Sequence, residues 1–183
     1  MIKTLIPAFI AATLLGCEYQ TANVPQPVND VPVAVQSVEV PTHTVKVVGV
    51  VDGDTIDCLT ADNEQIRIRV NAIDTPERGQ PFGDNAKQFV SDAVFGQMVT
   101  ITGDERDRYD RLIADIHYGE KWLSLELVKA GLAWHYEKYS DDQTLADAEI
   151  AAIDAKLGLW ADPRHVAPWD WRKLSKEEMD KLR

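Results

Sequence analysis

Between positions 44 and 72 the chain passes three times through short runs rich in Val, Ile and Thr, and each run stops at residues that favour turns. Residues 44–51 read TVKVVGVV and end at Asp52-Gly53, residues 55–60 end at Ala61-Asp62-Asn63, and residues 64–72 complete the set. Branching at Cβ stiffens χ1 and suits a pleated surface better than a helix, while Gly and Asn supply the backbone freedom that reversals need. In the third run Ile66, Ile68 and Val70 alternate with Arg67, Arg69 and Asn71. A period of two is that of a strand with one face buried and the polar face turned out. Three short strands joined by tight turns must bury a common face, and that requirement narrows the choice of fold.

Downstream, residues 84–95 place Ala86, Phe89, Val90 and Ala93 at helical spacing, with Gly96 to end the segment. Residues 97–102 and 112–118 read as strands, and Gly119-Glu120 turns the second into Lys121-Trp122-Leu123. Ser124 is expected to cap a helix over 125–130, closed by Gly131. Ser140 with Gln143 fits a capping box, ahead of an apolar stripe of Ala146, Ile150, Ile153 and Leu157 that ends at Gly158. Five short strands interrupted by a helix imply an α+β domain: a five-stranded Greek-key barrel of the oligonucleotide-binding type, with about three helices packed on it. Trp160, Trp169 and Trp171, which lie among prolines, are expected to pack back on the barrel.

The ends read differently. Residues 1–17 carry Lys3, an apolar run over 5–15 and then Leu14-Leu15-Gly16-Cys17. The run is too short to span a bilayer and has the layout of a secretory signal. Its last four residues resemble the lipobox of bacterial lipoproteins, which makes Cys17 the expected lipidation site and the cell envelope the expected location, with the chain anchored to a bacterial membrane; the alternative is an ordinary signal with an incidental cysteine and a periplasmic or secreted protein. Residues 18–42 contain no Lys or Arg and have prolines at 25, 27, 32 and 41, the composition of a disordered, Pro-rich tether. The expected organisation is thus signal and lipobox over 1–17, tether over 18–42, folded domain over 43–172 and a charged tail over 173–183. Cys58, the only other cysteine, is expected to be a small buried hydrophobe.

The net charge of -11 argues against generic affinity for nucleic acid, whose phosphates are bound by Lys and Arg. The arginines are unevenly placed, however: six of nine (Arg67, Arg69, Arg78, Arg106, Arg108 and Arg111) fall between 67 and 111, so a local cationic site on an acidic body is allowed.

Two acidic clusters end two of the strands: Asp52-Gly53-Asp54 after the first, and Asp74-Thr75-Pro76-Glu77 after the third. Hard oxygen ligands favour calcium or magnesium. An EF-hand loop counted from Asp52 needs Gly at its sixth place and Glu at its twelfth; those places hold Asp57 and Asn63. His117 and His135 are each isolated from other ligands, which speaks against zinc. Arg69 and Arg111 beside a carboxylate cation site suit phosphoryl chemistry, because planar guanidinium groups donate paired hydrogen bonds to oxygens as charge builds. Arg67, Arg106 and Arg108 are expected only to pair with neighbouring acids on a solvated face.

Val-Val-Asp-Gly-Asp-Thr, then Ile-Arg-Val-Asn-Ala-Ile-Asp-Thr-Pro-Glu, then Asp-Arg-Tyr-Asp-Arg-Leu-Ile-Ala, then Leu-Val-Lys-Ala-Gly-Leu-Ala-Trp resemble, in order and spacing, the successive motifs of the thermonuclease family typified by staphylococcal nuclease. The resemblance implies a calcium ion held by Asp54, Asp74 and the backbone carbonyl of Thr75, with Asp52 close by and acting through water. It implies catalytic roles for Arg69, Glu77 and Arg111. It also implies hydrolysis of DNA and RNA phosphodiesters at the 5' oxygen, leaving 3'-phosphates. Tyr109 and Tyr136, with Tyr139 beside them, are candidates for substrate contact. The loop after Glu77, Arg-Gly-Gln-Pro-Phe-Gly, is shorter than in the longer-looped relative.

The expected function is therefore an exported, lipid-anchored, calcium-dependent nuclease with DNA and RNA as substrates and no protein partner. The alternative is a non-catalytic barrel module that binds nucleic acid or an envelope partner, with calcium bracing its loops. Both arginines and Glu77 argue against the alternative, because a structural calcium site has no use for them.

Overall fold

A computed structural model describes residues 42–183, which belong to one compact unit. The expected signal, lipobox, Cys17 and tether lie outside the described residues. Three strands open the domain: β1 (Thr42–Val50), β2 (Thr55–Leu59) and β3 (Gln65–Val70). They are followed by a two-residue β4 (Ile73–Asp74) and helix α1 (Gly83–Val94). Next come β5 (Met98–Thr102), β6 (Leu112–Tyr118), the short β7 (Lys121–Trp122) and α2 (Leu123–Lys129). The short β8 (Trp134–His135) and α3 (Gln143–Asp154) precede a 3-10 turn over Gly158–Ala161 and two small helices, α4 (Pro168–Trp171) and α5 (Lys176–Leu182).

The five long strands close on themselves in the order β3-β2-β1-β5-β6, with β6 returning to pair with β3. β1 makes closure possible by serving two neighbours: its first half, Thr42 to Lys46, pairs with β5 and its second half, Lys46 to Val50, with β2. A register shift between Val47 and Gly49 bends it in between. The β3–β6 pairing is parallel, Ile68 opposite Leu112 and Val70 opposite Ala114, and it seals the barrel with no free edge there. This is the expected α+β barrel of oligonucleotide-binding type. In β3, Ile68 and Val70 are buried while Arg67 is exposed, as the alternation requires. Val47, Ile56, Ile68, Ile101 and Ile116 fill the interior, each worth about 1.5–3 kcal/mol of burial. Cys58 is buried with them, and burial pushes its thiol up to about 12, so it behaves as a hydrophobe.

Three local expectations are corrected. Ser124 does not cap α2; it lies inside the helix, buried, and its hydroxyl donates to the Asn71 carbonyl at 2.9 Å. Ser140 does not cap α3 either, because its hydroxyl is taken by His135 Nε2 at 3.0 Å and by the Asp142 amide at 3.2 Å. Asp142 is the cap, accepting from the amides of Thr144 and Leu145. The stripe of Ala146, Ile150, Ile153 and Leu157 is not the inward face: Ile150 is 57% exposed, and Leu145 and Ala152 are buried instead. The packed face of α3 runs through Leu145 and Ala152, and Ile150 and Ile153 are left outside. No helix among the described residues is long and apolar enough to cross a membrane.

Trp171 is buried, and Trp160 and Trp169 meet Trp134 edge-on at 5.3 and 6.4 Å. The tryptophan-rich segment therefore packs back, as expected. Its last part forms α5, which starts from a capping box of Ser175 and Glu178.

Candidate active site

The turn between β1 and β2 is built around Asp52, whose Oδ1 accepts the Asp54 amide at 3.1 Å. Gly53 is needed there for space: a Cβ would lie 2.7 Å from both the Ala86 Cβ of α1 and the Thr75 hydroxyl. The Asp54 carbonyl accepts the Val70 amide at 2.8 Å, which ties the turn to the end of β3. Directly beyond that end β4 delivers Asp74, opposite Trp134 of β8.

The two acidic clusters therefore meet. Asp54 Oδ2 accepts both the amide and the hydroxyl of Thr75 at 3.1 Å, and its Oδ1 accepts the Thr55 hydroxyl at 3.1 Å. Arg69, on the outward face of β3, brings Nη2 to within 3.3 Å of Asp54 Oδ2 and 3.2 Å of Asp74 Oδ1. Its Nη1 donates to the Val70 carbonyl at 2.7 Å, which fixes the plane of the guanidinium. Asp74 is fully buried.

Arg111 enters from the loop before β6, placed beside β3 by the parallel pairing. Asp107 holds it twice: Oδ1 accepts the Arg111 amide at 3.0 Å and Oδ2 accepts Nε at 2.7 Å. Arg111 Nη1 then reaches the Thr55 hydroxyl at 3.2 Å. Burial opposes the Asp107 charge, but the hydrogen bonds from Arg111 outweigh it and hold the carboxyl below its usual range. Asp52, Asp54, Arg69, Glu77, Arg111 and Tyr136 all line one groove of about 800 Å³.

Two residues at this site were not singled out from the sequence. Thr55 joins Asp54 to Arg111 through one hydroxyl. Arg172, which follows α4, donates Nη1 and Nη2 to the two oxygens of Asp74 at 3.0 and 2.8 Å and Nε to Glu77 Oε1 at 2.5 Å. Burial works against the Arg172 charge, yet Asp74 and Glu77 together raise its pKa above the ordinary value. The run Pro-Trp-Asp-Trp-Arg was the available signal, but it is not local to either acid.

Burial, followed by the charge of Asp54, pushes the Asp52 carboxyl up to about 6. Burial also raises Asp74, although Arg172 and Arg69 pull it the other way. Asp54 and Asp74 share the Arg69 guanidinium, and Asp74 and Glu77 share that of Arg172, so the acids outnumber the cations that hold them. Among the described residues no group of three or more His, Cys, Asp or Glu forms a metal cage. The donors that do converge, Asp54 and Asp74, are oxygen ligands, and their chemistry and excess charge fit a hard divalent cation completed by backbone and water. Zinc is not favoured: His117 stacks on Trp122, and His135 is bonded to Ser140.

The remaining expectations divide. Arg67 pairs with Asp57 at 2.7 and 3.0 Å, and Arg106 with Asp110 at 3.3 Å, both on exposed faces. Arg108 lies over the Tyr109 ring at 4.8 Å rather than against an acid. Tyr109 is exposed at the groove, with Arg111 over its ring at 5.6 Å. Tyr136 stacks on Trp169, centroids 5.1 Å apart and rings 6° from parallel, and Tyr139 meets it edge-on at 4.8 Å.

Residues 67–162 match the sequence model of the family described as staphylococcal nuclease homologue. An uncharacterized endonuclease from Haemophilus influenzae is 39% identical over 137 residues, covering 75% of this chain and 77% of its own length. A micrococcal nuclease from Shigella flexneri is 37% identical over 142 residues, covering 72% and 81%. A protein named ParB from Escherichia coli is 34% identical over 151 residues, covering 74% and 82%. The matched span holds Arg69, Asp74, Glu77 and Arg111. With a closed barrel that brings Arg69, Glu77 and Arg111 to one groove and relatives alike over most of their length, the chain belongs to the staphylococcal nuclease homologue family.

Proposed function

We propose that the protein is a calcium-dependent nuclease that hydrolyses phosphodiester bonds of DNA and RNA at the 5' oxygen, leaving 3'-phosphates. Family membership supports the nuclease activity itself. The observation that carries the fuller reading is the convergence of Arg69 and Arg111 on Asp54, directly through Nη2 of Arg69 and through the Thr55 hydroxyl for Arg111.

Calcium would be held by Asp54 and Asp74, with the Thr75 carbonyl and, through water, Asp52. Bound there, it supplies Lewis-acid polarisation of a phosphoryl oxygen and offsets its charge. Arg69 and Arg111 are braced against rotation by the Val70 carbonyl and by Asp107, so their free N–H groups are preorganised for the oxygens of a pentacoordinate phosphorus. Preorganisation matters because the charge on those oxygens grows during attack, and a donor already in place need not be reoriented. Glu77, its side chain 35% exposed in the groove, orients or deprotonates the attacking water. Tyr109 and Tyr136 border the same groove and offer ring faces and hydroxyls to the substrate. Because the body is acidic at -11, affinity rests on this local site and is weak and salt-sensitive.

The site also works outside the cytoplasm in this reading: the chain is exported, lipidated at Cys17 and held at the cell envelope. Fractionation of cells carrying Cys17→Ser tests this, with loss from the membrane fraction expected and retention there contradicting it. For the chemistry, the purified protein is incubated with single-stranded DNA and with RNA in calcium and in chelator, and the ends of the fragments are analysed. Calcium-dependent fragments ending in 3'-phosphate are expected. Absence of cleavage across calcium, pH and salt would promote the non-catalytic binding module.

A further inference from the structure

The C-terminal segment is tied to the active-site loop at three places. Gln80 Nε2 donates to the Val166 carbonyl at 2.6 Å, Arg183 Nε donates to the Gly79 carbonyl at 2.8 Å, and Arg172 donates to Asp74 and Glu77. Arg172 starts from a fixed base. Pro168 opens α4, Trp171 is buried, and Trp169 is stacked on Tyr136. The guanidinium is thus delivered to one place and makes three charge-assisted hydrogen bonds there.

Its position is informative because of what it touches. Asp74 Oδ1 accepts from both Arg172 and Arg69, and Oδ2 accepts from Arg172 alone. A carboxylate offers about four lone-pair sites, and three of those on Asp74 are filled by cationic donors. A divalent cation that took the remaining site would sit beside the Arg172 guanidinium, like charge against like, in a partly desolvated groove. A metal and the Arg172 guanidinium therefore compete for Asp74, each weakening the hold of the carboxylate on the other.

Resting on the reading of this site as a divalent-metal site, we infer that Arg172 is an internal counter-cation for Asp74 and Glu77, which a divalent metal must displace in order to bind. It holds the two acids in place without metal and sets the affinity for metal by competition. Its exposure favours the exchange: the Arg172 side chain is 46% exposed, so it can leave into solvent, whereas Arg69 is 14% exposed and stays. Its departure frees Glu77, which lines the groove with Arg69 and Arg111.

The test is calcium titration by calorimetry of the full chain at fixed ionic strength, for the unmodified protein, Arg172→Gln, Arg172→Lys and Arg183→Gln. Arg172→Gln is expected to bind calcium at least about ten-fold more tightly, since the competing cation is gone. Arg172→Lys keeps a charge but cannot span Asp74 and Glu77 at once, so its affinity should fall in between. It also carries the test if Arg172→Gln fails to fold. Arg183→Gln loosens the same segment without touching either acid, and its affinity should equal that of the unmodified protein. Melting without metal should fall for Arg172→Gln and recover on adding calcium. Unchanged or weaker calcium binding in the Arg172 variants overturns the inference, as does equal tightening in Arg183→Gln, which would assign the effect to the segment as a whole. An unmodified protein that binds no calcium overturns instead the metal-site reading on which the inference rests.

Discussion

Arg111 donates from Nη1 to the Thr55 hydroxyl at 3.2 Å, across 56 positions of the chain. A hydroxyl has one proton and two lone pairs, so Thr55 can accept from the arginine while donating to Asp54 Oδ1 at 3.1 Å. The barrel thus couples its two halves, one carrying the acid and one the arginine, through a single buried oxygen.

Thr55→Val keeps the shape of the side chain and removes that oxygen. The loss of one buried hydrogen-bonded bridge is worth about 1–2 kcal/mol, or roughly ten-fold in kcat/KM. Thr55→Ser should restore most of it. Steady-state cleavage of single-stranded DNA, run beside melting curves, checks this; Thr55→Val as active as the unmodified protein would show that the bridge plays no part.

The two arginines should fail differently. Arg111 is partly exposed and paired with Asp107 on the groove wall, so Arg111→Ala should lower kcat by about 10²–10³ with little change in stability. Arg69→Ala also takes from buried Asp54 its direct ion pair and leaves Asp74 with Arg172 alone. In calcium-free buffer it should lose about 3 kcal/mol of stability as well as activity. Urea denaturation separates the two outcomes, and equal stability of both variants would contradict the distinction.

Gly53 has no room for a side chain. A Cβ there would meet Ala86 and Thr75 at 2.7 Å, and Thr75 donates its amide and hydroxyl to Asp54. Gly53→Ala should therefore cost about 1–3 kcal/mol through forced displacement and weaken calcium binding with it. A thermal melt and a calcium titration test both parts; an unshifted melt would mean that α1 yields freely.

Much of the fold was legible because β1 is a β-branched run stopped by turn residues, and the alternation of Ile66, Ile68 and Val70 with Arg67 and Arg69 gave the inward face of β3 directly. Asp52, Asp54, Asp74 and Glu77 were legible as clusters because each pair is local in sequence. Ser124 and Ser140 misled because a hydroxyl that suits a cap also suits a buried carbonyl or a histidine, and tertiary contact decided between them. The stripe on α3 misled because helical spacing of apolar residues does not say which face turns inward, and the face that packs carries Leu145 and Ala152. Arg172 was illegible for another reason: its partners lie 95 and 98 positions away, and only the packing of α4 determines where it points.

Away from the groove, Glu149 of α3 provides a test of pH dependence. Its Oε1 accepts the His135 amide at 2.9 Å. Burial raises its pKa above the ordinary 4.5, the His135 hydrogen bond opposes the rise, and the charge of Glu137 adds to it. The folded state therefore holds this proton more tightly than the unfolded chain, and stability falls as pH rises from 4.5 through the folded-state pKa. Glu149→Gln keeps the acceptor oxygen and removes the charge. It should change the melting temperature little near about pH 4, and raise it near about pH 8, by a few degrees. Melting curves of both proteins across that range check the sign. A difference that stays flat with pH would show that folding does not shift the Glu149 carboxyl, and one that favours the unmodified protein at high pH would show that it is stabilising as the anion.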